Sequence, residues 1–368
     1  MDDRDYMRRA LALAERGRGW TAPNPLVGAV VVKDGQIIGE GWHERWGEAH
    51  AERNALASCT APPQGATMYV TLEPCCHHGK QPPCVDAILA AGIRRVVVGA
   101  GDPDPRVDGK GIALLRAAGV DVTEGVLRAE CEAQNAFFRH RVRTGRPYGI
   151  LKWAMALDGK TAARGGASRW ITGEEARAHV HAQRHACAAI LVGVGTVLAD
   201  DPQLTCRLPE GRDPVRVVCD SQLRTPPTAQ VVATARRTPT ILATCCADEA
   251  RQRPYRDAGC RVLCLPGAGG RVDLGALMDA LGAEGIDSVL IEGGGTLAWS
   301  ALCAGVVQRV QAYVAPKLLG GREARTPVEG AGVTAPDLGA RLGPWTVTPL
   351  GADLLLESEV IADVHGDR

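Results

Sequence analysis

Residues 71–84, TLEPCCHHGKQPPC, crowd three cysteines, two histidines and a glutamate into one short segment. An open zinc site takes three protein ligands and leaves a position for water, so this segment calls for a partner elsewhere in the chain. Upstream stands His50-Ala51-Glu52, opening a helical pattern just after a glycine-rich hairpin region. In the first turn of a helix both side chains can point beyond its end, where the positive pole of the dipole favours an anionic group. The motif EPC follows the strand pattern TMYVTLE, so Cys75 lies where a helix could begin, and Cys84 begins or precedes the helix pattern CVDAILAAG. A fold that unites these ligands must set strand-to-helix passages side by side, which predicts helices packed on a sheet.

The rest of the pattern agrees. The run DYMRRALALAER from Asp5 to Arg16 predicts an opening helix with Met7, Leu11 and Ala14 on one face and Asp5 as its negative cap. LVGAVVVKDGQIIGEGWH predicts a hairpin turned by Asp34-Gly35, and RRVVVGA a buried strand. Between Arg143 and Tyr148 turn residues precede a fresh strand pattern, giving domains 1–145 and 146–368. In the second domain AAILVGVGTVLADDP, PVRVVCDS, PTILATC, RVLCLP and SVLIEGGGT read as strands, with helices over 173–187 and 273–283, so it too is α/β. Residues 321–345 are the most loop-like stretch outside the boundary.

Lysine plus arginine and aspartate plus glutamate both number 42, and arginine is dispersed along the chain. That leaves no footprint for counterion-driven binding of nucleic acid. Thirteen cysteines in a long chain opening with the charged MDDRDYMRRA, without an apolar signal core, indicate a reducing cytoplasm. No apolar run reaches the roughly 20 residues a membrane helix requires, so a soluble protein is expected.

Chemically, His50, Cys75 and Cys84 would supply one nitrogen and two thiolates to Zn2+, with Glu52 off the metal as proton shuttle. This is the logic of zinc deaminases, whose usual signature is H-x-E followed by P-C-x-x-C. Here His78 occupies the position of the second thiolate, and Cys84 is the next cysteine that can serve. Cys76, His77 and His78 become substrate-side or supporting candidates. Cys59, Cys131, Cys187, Cys219, Cys260, Cys264 and Cys303 read as small core residues.

PNPLVGAVVVKDGQIIGEGWH, GEAHAERNAL, YVTLEPCCHHGKQPPCVDAI and GDPDPRVDGKGI resemble the bacterial bifunctional riboflavin-biosynthesis deaminase/reductase, which has the longer cysteine spacing. LKWAMALDGKTA, SRWITGEEAR, GVGTVLADDPQLTCR, IEGGGTLAWSAL and VAPKLLGG extend the resemblance through the second domain. It implies a cytidine-deaminase-like zinc domain followed by a dihydrofolate-reductase-like domain. The implied first step deaminates 2,5-diamino-6-(5-phosphoribosylamino)pyrimidin-4(3H)-one, with Asn24, His43 and Lys80 holding base and phosphate. Asp104 stands where the family often has asparagine and is left outside the site.

In the second domain, LIEGGGTLAWSAL is a strand, three glycines and a helix pattern, a place where backbone N–H groups can approach a phosphate. Alone it reads as a plain strand-helix turn, but GVGTVLADDP adds Gly193, Gly195 and Thr196 after another strand, with Asp200 beyond. Neither shows the full G-x-G-x-x-G with a following acid that marks a Rossmann unit. The resemblance implies NADPH, bound near Ala154, Trp170, Thr196, Asp200, Ser221, Gly294, Gly295 and Thr296. It places Ser168, Arg184, Leu204, Arg207 and Glu292 at the substrate. Arginine suits a phosphate clamp because its planar fork binds oxygens bidentately, so Arg184 and Arg207 are the clamp candidates. Lys152 and Glu292 are the candidates for catalytic assistance.

The expected protein is therefore a cytoplasmic enzyme acting on a small phosphorylated pyrimidine, and the resemblance implies a homo-oligomer, a dimer through the reductase domain. Two other readings are a nucleoside or nucleobase deaminase with an unrelated tail and an RNA-binding editing module. The neutral charge and the lack of a basic aromatic stripe argue against the second.

Overall fold

The computed structural model describes residues 1–362 and divides into two compact units, Met1–Gly145 and one beginning at Arg146. In the first, α1 (Asp3–Ala14) leads to β1 (Gly28–Lys33), β2 (Gln36–Trp42), α2 (Ala51–Ala57) and β3 (Thr67–Leu72). Then follow α3 (Cys84–Ala90), β4 (Arg95–Ala100), α4 (Lys110–Ala117), β5 (Asp121–Glu124), α5 (Arg128–Gln134) and α6 (Ala136–Thr144). The sheet runs β2-β1-β3-β4-β5, with β1 antiparallel to both its neighbours and β3, β4 and β5 parallel.

Both faces of this sheet are buried, and the two-residue period of the strands divides their side chains between them. Ala29 and Val31 of β1 face a core shared with Ala55 of α2 and Ile88 of α3, while Val30 and Val32 face Met7, Ala10 and Leu13 of α1. Helix α1 starts two residues earlier than expected: Asp2 is its cap, accepting the Asp5 amide at 2.9 Å, while the Asp5 carboxylate accepts the Asp2 amide at 3.1 Å. The hairpin turns as its sequence requires, Asp34 and Gly35 taking φ of 50° and 76°. Gly41 lets α2 lie almost on β2, because a Cβ there would stand 2.3 Å from the Ala55 nitrogen.

The second unit comprises β6 (Tyr148–Ala156), α7 (Glu174–Ala186), β7 (Ala189–Gly193), α8 (Val194–Asp200), β8 (Val215–Cys219), α9 (Gln230–Ala233), β9 (Thr240–Thr244) and α10 (Glu249–Asp257). It continues with β10 (Arg261–Cys264), β11 (Gly267–Ala268), β12 (Arg271–Val272), α11 (Leu274–Ala283), β13 (Ser288–Glu292), α12 (Gly295–Cys303) and β14 (Arg309–Ala315). It ends with β15 (Arg341–Leu342), β16 (Thr346–Leu350) and β17 (Asp353–Ala362). The main sheet runs β10-β9-β8-β7-β13-β6-β14-β17-β15, with β16 beside β17. Strands from β10 to β14 along this path are parallel, and β17 pairs antiparallel.

Leu191 and Ile291 point to a core built with Leu277 and Leu281 of α11, and Ile190 and Val192 point to the opposite core. The expected strand AAILVGVGTVLADDP stops at Gly193, where the chain turns into α8. Cys131, Cys187 and Cys260 are buried as expected, whereas Cys264 is exposed, at the end of the edge strand β10, and Cys59, Cys219 and Cys303 are half-buried. Among the described residues no helix is long and apolar enough to cross a membrane.

Candidate functional site

In the first unit His50 is the N-cap of α2 and makes no capping bond with its own helix, while Cys84 opens α3. Cys75 does not begin a helix, contrary to expectation; it sits in the loop between β3 and α3. That loop is held from below by Glu73, a buried carboxylate that accepts the amides of Gly109 (3.0 Å), Ile112 (3.2 Å) and Asp102 (3.4 Å). Glu73 thus joins the start of α4 to the strand end that presents Cys75, a role to which its place beside a ligand cysteine was the only clue.

The three donors converge. His50 Nδ1 lies 3.5 Å from Cys75 Sγ and 3.3 Å from Cys84 Sγ, and all three ligand atoms fall within 4.8 Å of one another. Donors about 2.0–2.3 Å from one tetrahedral zinc stand roughly 3.5–3.8 Å apart, so the trio fits that ion. Hydrogen bonding from Cys84 lowers the Cys75 thiol against the opposing effect of burial, with His50 acting in the same direction as Cys84. The Cys75 sulfur and burial raise Cys84, so the second thiolate needs a cation to form. Glu52 is 3% exposed, and burial, assisted by the charge at Cys75, raises its carboxyl to about 7.

Of the residues expected at the base and phosphate, His43 and Asn24 form one wall. His43 Nε2 is 3.1 Å from Asn24 Nδ2 and its Nδ1 is 3.1 Å from the Ala49 carbonyl, which assigns the proton to Nδ1. Burial lowers its pKa, and its ring stands edge-on to His50 with centroids 5.3 Å apart. Lys80 is exposed, its ammonium 3.3 Å from the centroid of Trp46, and Gln81 Nε2 donates to the Gly47 carbonyl at 3.0 Å. These contacts lace the residues between Cys75 and Cys84 to the turn before α2, through Trp46, which no pattern singled out.

Cys76 stays apart from the trio and donates to the Arg106 carbonyl at 3.6 Å. Asp104 is engaged by Arg106 at 2.5 Å, which holds its carboxyl below the usual range. Asp102, buried in the same loop, has its carboxyl raised by burial to about 6.

In the second unit the register of β13 on β6 pairs Glu292 with Lys152, and their charged groups are 3.6 Å apart. Arg184 reaches Glu292 from α7 with a two-pronged bond, Nε to Oε1 at 3.0 Å and Nη2 to Oε2 at 2.9 Å. Its Nη1 donates to the Thr205 carbonyl at 3.2 Å. Burial alone would raise the Glu292 carboxyl, but Arg184 and Lys152 more than offset it and hold it down to about 2. Burial lowers the Lys152 ammonium, Glu292 opposing and Arg184 reinforcing the effect. Ala154 lies on β6 opposite Tyr313, whose ring centroid is 5.4 Å from Lys152 Nζ.

The clamp pair divides. Arg184 spends three of its five N–H donors inside the protein, whereas Arg207 is exposed and its amide donates to His181 Nδ1 at 3.3 Å. His181, half-buried one helical turn before Arg184, was not anticipated. Leu204 is buried in the core with φ of 55°, so only its backbone can meet a ligand. Ser168 is half-buried in the loop after β6, and Trp170 is 59% exposed, with the Arg177 guanidinium 4.7 Å from its ring centroid.

Thr196 Oγ1 lies 3.5 Å from the place a Cβ on Gly293 would take, so the starts of α8 and α12 are neighbours. Gly294 faces open space, but a Cβ on Gly295 would meet Glu329 at 2.5 Å, so Gly295 is packed under the 321–345 loop. Asp200 is exposed and its carbonyl accepts from Arg169 at 3.4 Å. Ser221 and Thr296 line a cavity of about 440 Å³ at the carboxyl ends of β7 and β8, where open α/β sheets bind ligands.

Comparison with known proteins adds two family matches: the RibD C-terminal domain over residues 147–356 and the cytidine and deoxycytidylate deaminase zinc-binding region over residues 1–100. The chain is 51% identical over 362 residues to the riboflavin biosynthesis protein RibD of Actinobacillus pleuropneumoniae, covering 98% of this chain and 96% of the relative. It is similar to the crystal structure of a diaminohydroxyphosphoribosylaminopyrimidine deaminase/5-amino-6-(5-phosphoribosylamino)uracil reductase from Thermotoga maritima, with TM-score 0.86, 38% identity and coverage of 97% and 98% of the two chains. Acinetobacter baumannii RibD matches with TM-score 0.86, 37% identity and the same coverage.

Proposed function

The chain belongs to the RibD family of riboflavin-biosynthesis proteins, and on that premise we propose that its first unit deaminates 2,5-diamino-6-(5-phosphoribosylamino)pyrimidin-4(3H)-one and its second reduces the ribosyl chain of the product with NADPH. It is a bifunctional deaminase and reductase, with a zinc-binding deaminase domain followed by a RibD reductase domain. The observation that carries the deaminase half is the convergence of His50, Cys75 and Cys84 with Glu52 buried beside them.

His50, Cys75 and Cys84 would hold zinc, which would supply the Lewis acidity that makes water a nucleophile near neutral pH. Glu52, off the metal, takes a proton from the attacking water and returns it to the departing amine. The bond from ring carbon to nitrogen breaks, the water oxygen remains on the carbon and ammonia leaves. Asn24 and His43 orient the base, and Lys80 holds the phosphate from the laced loop.

In the reductase, NADPH, when bound, would supply the hydride that an imine or aldehyde-level carbon of the opened ribose needs. Lys152, its acidity raised by burial, donates the accompanying proton, and Glu292 fixes the position of its ammonium. Arg184 keeps Glu292 ionised and aimed, leaving Arg207 as the free cation for the terminal phosphate. Ser168 and the Leu204 backbone border the sugar, while Ala154, Trp170, Thr196, Asp200, Ser221, Gly294 and Thr296 border the cofactor, with Gly295 packed behind them.

Cytoplasmic location and a homodimer through the reductase domain belong to the same proposal. Incubating the purified chain with the diaminopyrimidine phosphate tests the function by mass analysis. Without NADPH the amino group should be replaced by oxygen and nothing more; with NADPH the product should gain two hydrogens. Absence of ammonia release from the zinc-loaded chain would refute the deaminase assignment.

A further inference from the structure

The Lys152 ammonium carries the proton in the reduction proposed above, yet its one carboxylate neighbour is shared. Arg184 engages both oxygens of Glu292, at 3.0 and 2.9 Å, and Lys152 reaches that carboxylate at 3.6 Å, longer than a hydrogen bond. On the other side of β6, Gln311 of β14 stands in register with Lys152. Its Nε2 donates to Glu357 Oε1 at 2.8 Å, and its buried Oε1 has no hydrogen-bond partner among the described residues. Two residues along β14, and so on the same face of the sheet, is Tyr313, with the Lys152 ammonium over its ring at 5.4 Å from the centroid. We propose that Tyr313 is a positioning residue of the reductase: its ring face and the Glu292 carboxylate hold the Lys152 ammonium from two sides as it delivers the proton. The inference rests on the reading of Lys152 as the proton donor.

The ring is fixed by its surroundings. Tyr313 is fully buried and packs with Ala176 and Val180 of α7, Ala154 of β6 and Leu355 of β17. Its hydroxyl lies 2.8 Å from His179 Nδ1. Burial raises the Tyr313 hydroxyl and lowers the His179 imidazole, so at neutral pH the hydroxyl donates and Nδ1 accepts. A ring pinned at its hydroxyl keeps one face toward Lys152. That face carries the negative part of the aromatic quadrupole, which attracts a cation within about 6 Å and does so more strongly away from water. The Lys152 side chain is only 12% exposed. Burial pushes Lys152 toward its neutral form, and the ring opposes that drift, keeping the proton on the amine until the sugar takes it. An aliphatic side chain of similar bulk would fill the space without that attraction.

Reductase kinetics of the full chain across pH, on the deaminated intermediate with NADPH, test this. The other charged and titratable groups around Lys152 are Glu292 of β13 and Arg184 and His181 of α7, while Glu357 of β17, His179 and Cys187 bear on Tyr313. All of them stay in place in the variants. Tyr313→Leu should lower kcat roughly tenfold with KM for the intermediate within about twofold. The limb on which kcat declines with rising pH should move down by about one pH unit, because the ammonium loses its proton sooner without the ring. Tyr313→Phe restores the ring face and should bring kcat back to within about threefold of native, with the limb at its native pH. A ring-fluorinated phenylalanine at the same position keeps the shape of that rescuing side chain but withdraws its negative face, so it should behave as Tyr313→Leu does. Unchanged NADPH affinity by calorimetry shows that the reductase unit is folded in each. A fluorinated ring as active as the unfluorinated one, with the same pH limb, would reduce Tyr313 to packing and overturn the proposal. Tyr313→Phe as impaired as Tyr313→Leu would overturn it too, by assigning the effect to the hydroxyl. Lys152→Met separates the underlying reading: kcat should fall about a hundredfold or more, and native kcat in that variant removes Lys152 as donor and the inference with it.

Discussion

Arg184 holds Glu292 through two parallel hydrogen bonds of 3.0 and 2.9 Å, with the two side chains only 14% and 13% exposed. Removing Arg184 leaves the buried Glu292 charge with Lys152 alone, 3.6 Å away, so the cost falls toward the lower end of the about 3–5 kcal/mol for breaking a buried pair. Arg184→Ala should therefore lower the unfolding free energy by that order in chemical denaturation. It should also reduce reductase kcat on the deaminated intermediate by on the order of a hundredfold, because Glu292 loses its aim on Lys152. Deaminase turnover should be unchanged. A rise in KM alone, with kcat intact, would return Arg184 to the role of phosphate clamp.

Arg207 should show the opposite kinetic signature. Arg207→Ala is expected to raise the KM for the phosphorylated intermediate roughly tenfold or more, the loss of a charge-assisted contact, with kcat changing little. Saturation curves on the supplied intermediate measure both constants, and an unaltered KM would remove Arg207 from the substrate site.

The depressed Glu292 carboxyl makes a prediction about pH. Its folded pKa of about 2 lies below the ordinary 4.5, so the folded state prefers the charged form. The stability this contributes is fully present above about pH 4.5 and is lost as pH falls through about 2. Glu292→Gln has nothing to lose in that window, so the stability difference between native chain and variant should narrow as pH drops from 4.5 toward 2. A difference that stays constant across the window would mean that Glu292 does not titrate as the structure implies.

Glu52 is buried beside the ligand trio without being one of its three members. Glu52→Gln should keep stoichiometric zinc and the reductase activity while deaminase turnover falls about a hundredfold or more. Zinc loss in this variant would instead make Glu52 a ligand or a support.

Much of the deaminase site was legible because its constraints are local. Asp34-Gly35 announces a hairpin through its positive φ, and His50 and Cys84 stand at helix starts that periodicity locates. Cys75 was read one step too far: the residues after it carry Pro82 and Pro83, which defer the helix to Cys84, and the loop is fixed by Glu73 from a distance. In the reductase the pairing of Arg184 with Glu292 was not legible, since helical periodicity places Arg184 on a face of α7 but cannot say that Glu292 of β13 lies opposite. Helix α8 was hidden by VGTVLAD, whose valines and leucine prolong the apolar run of β7. Helix α10 buries little beyond Gln252 and Tyr255 and contains Pro254, so it lacks the apolar stripe that would reveal it.

The central claim is that His50, Cys75 and Cys84 form a working zinc centre from which Cys76 is excluded. Measuring zinc per chain together with ammonia release in Cys75→Ser, Cys84→Ser and Cys76→Ser tests it most directly. The first two variants should lose both metal and deaminase activity, and Cys76→Ser should keep both. A Cys76→Ser chain emptied of zinc, beside a Cys84→Ser chain that retains it, would contradict the account.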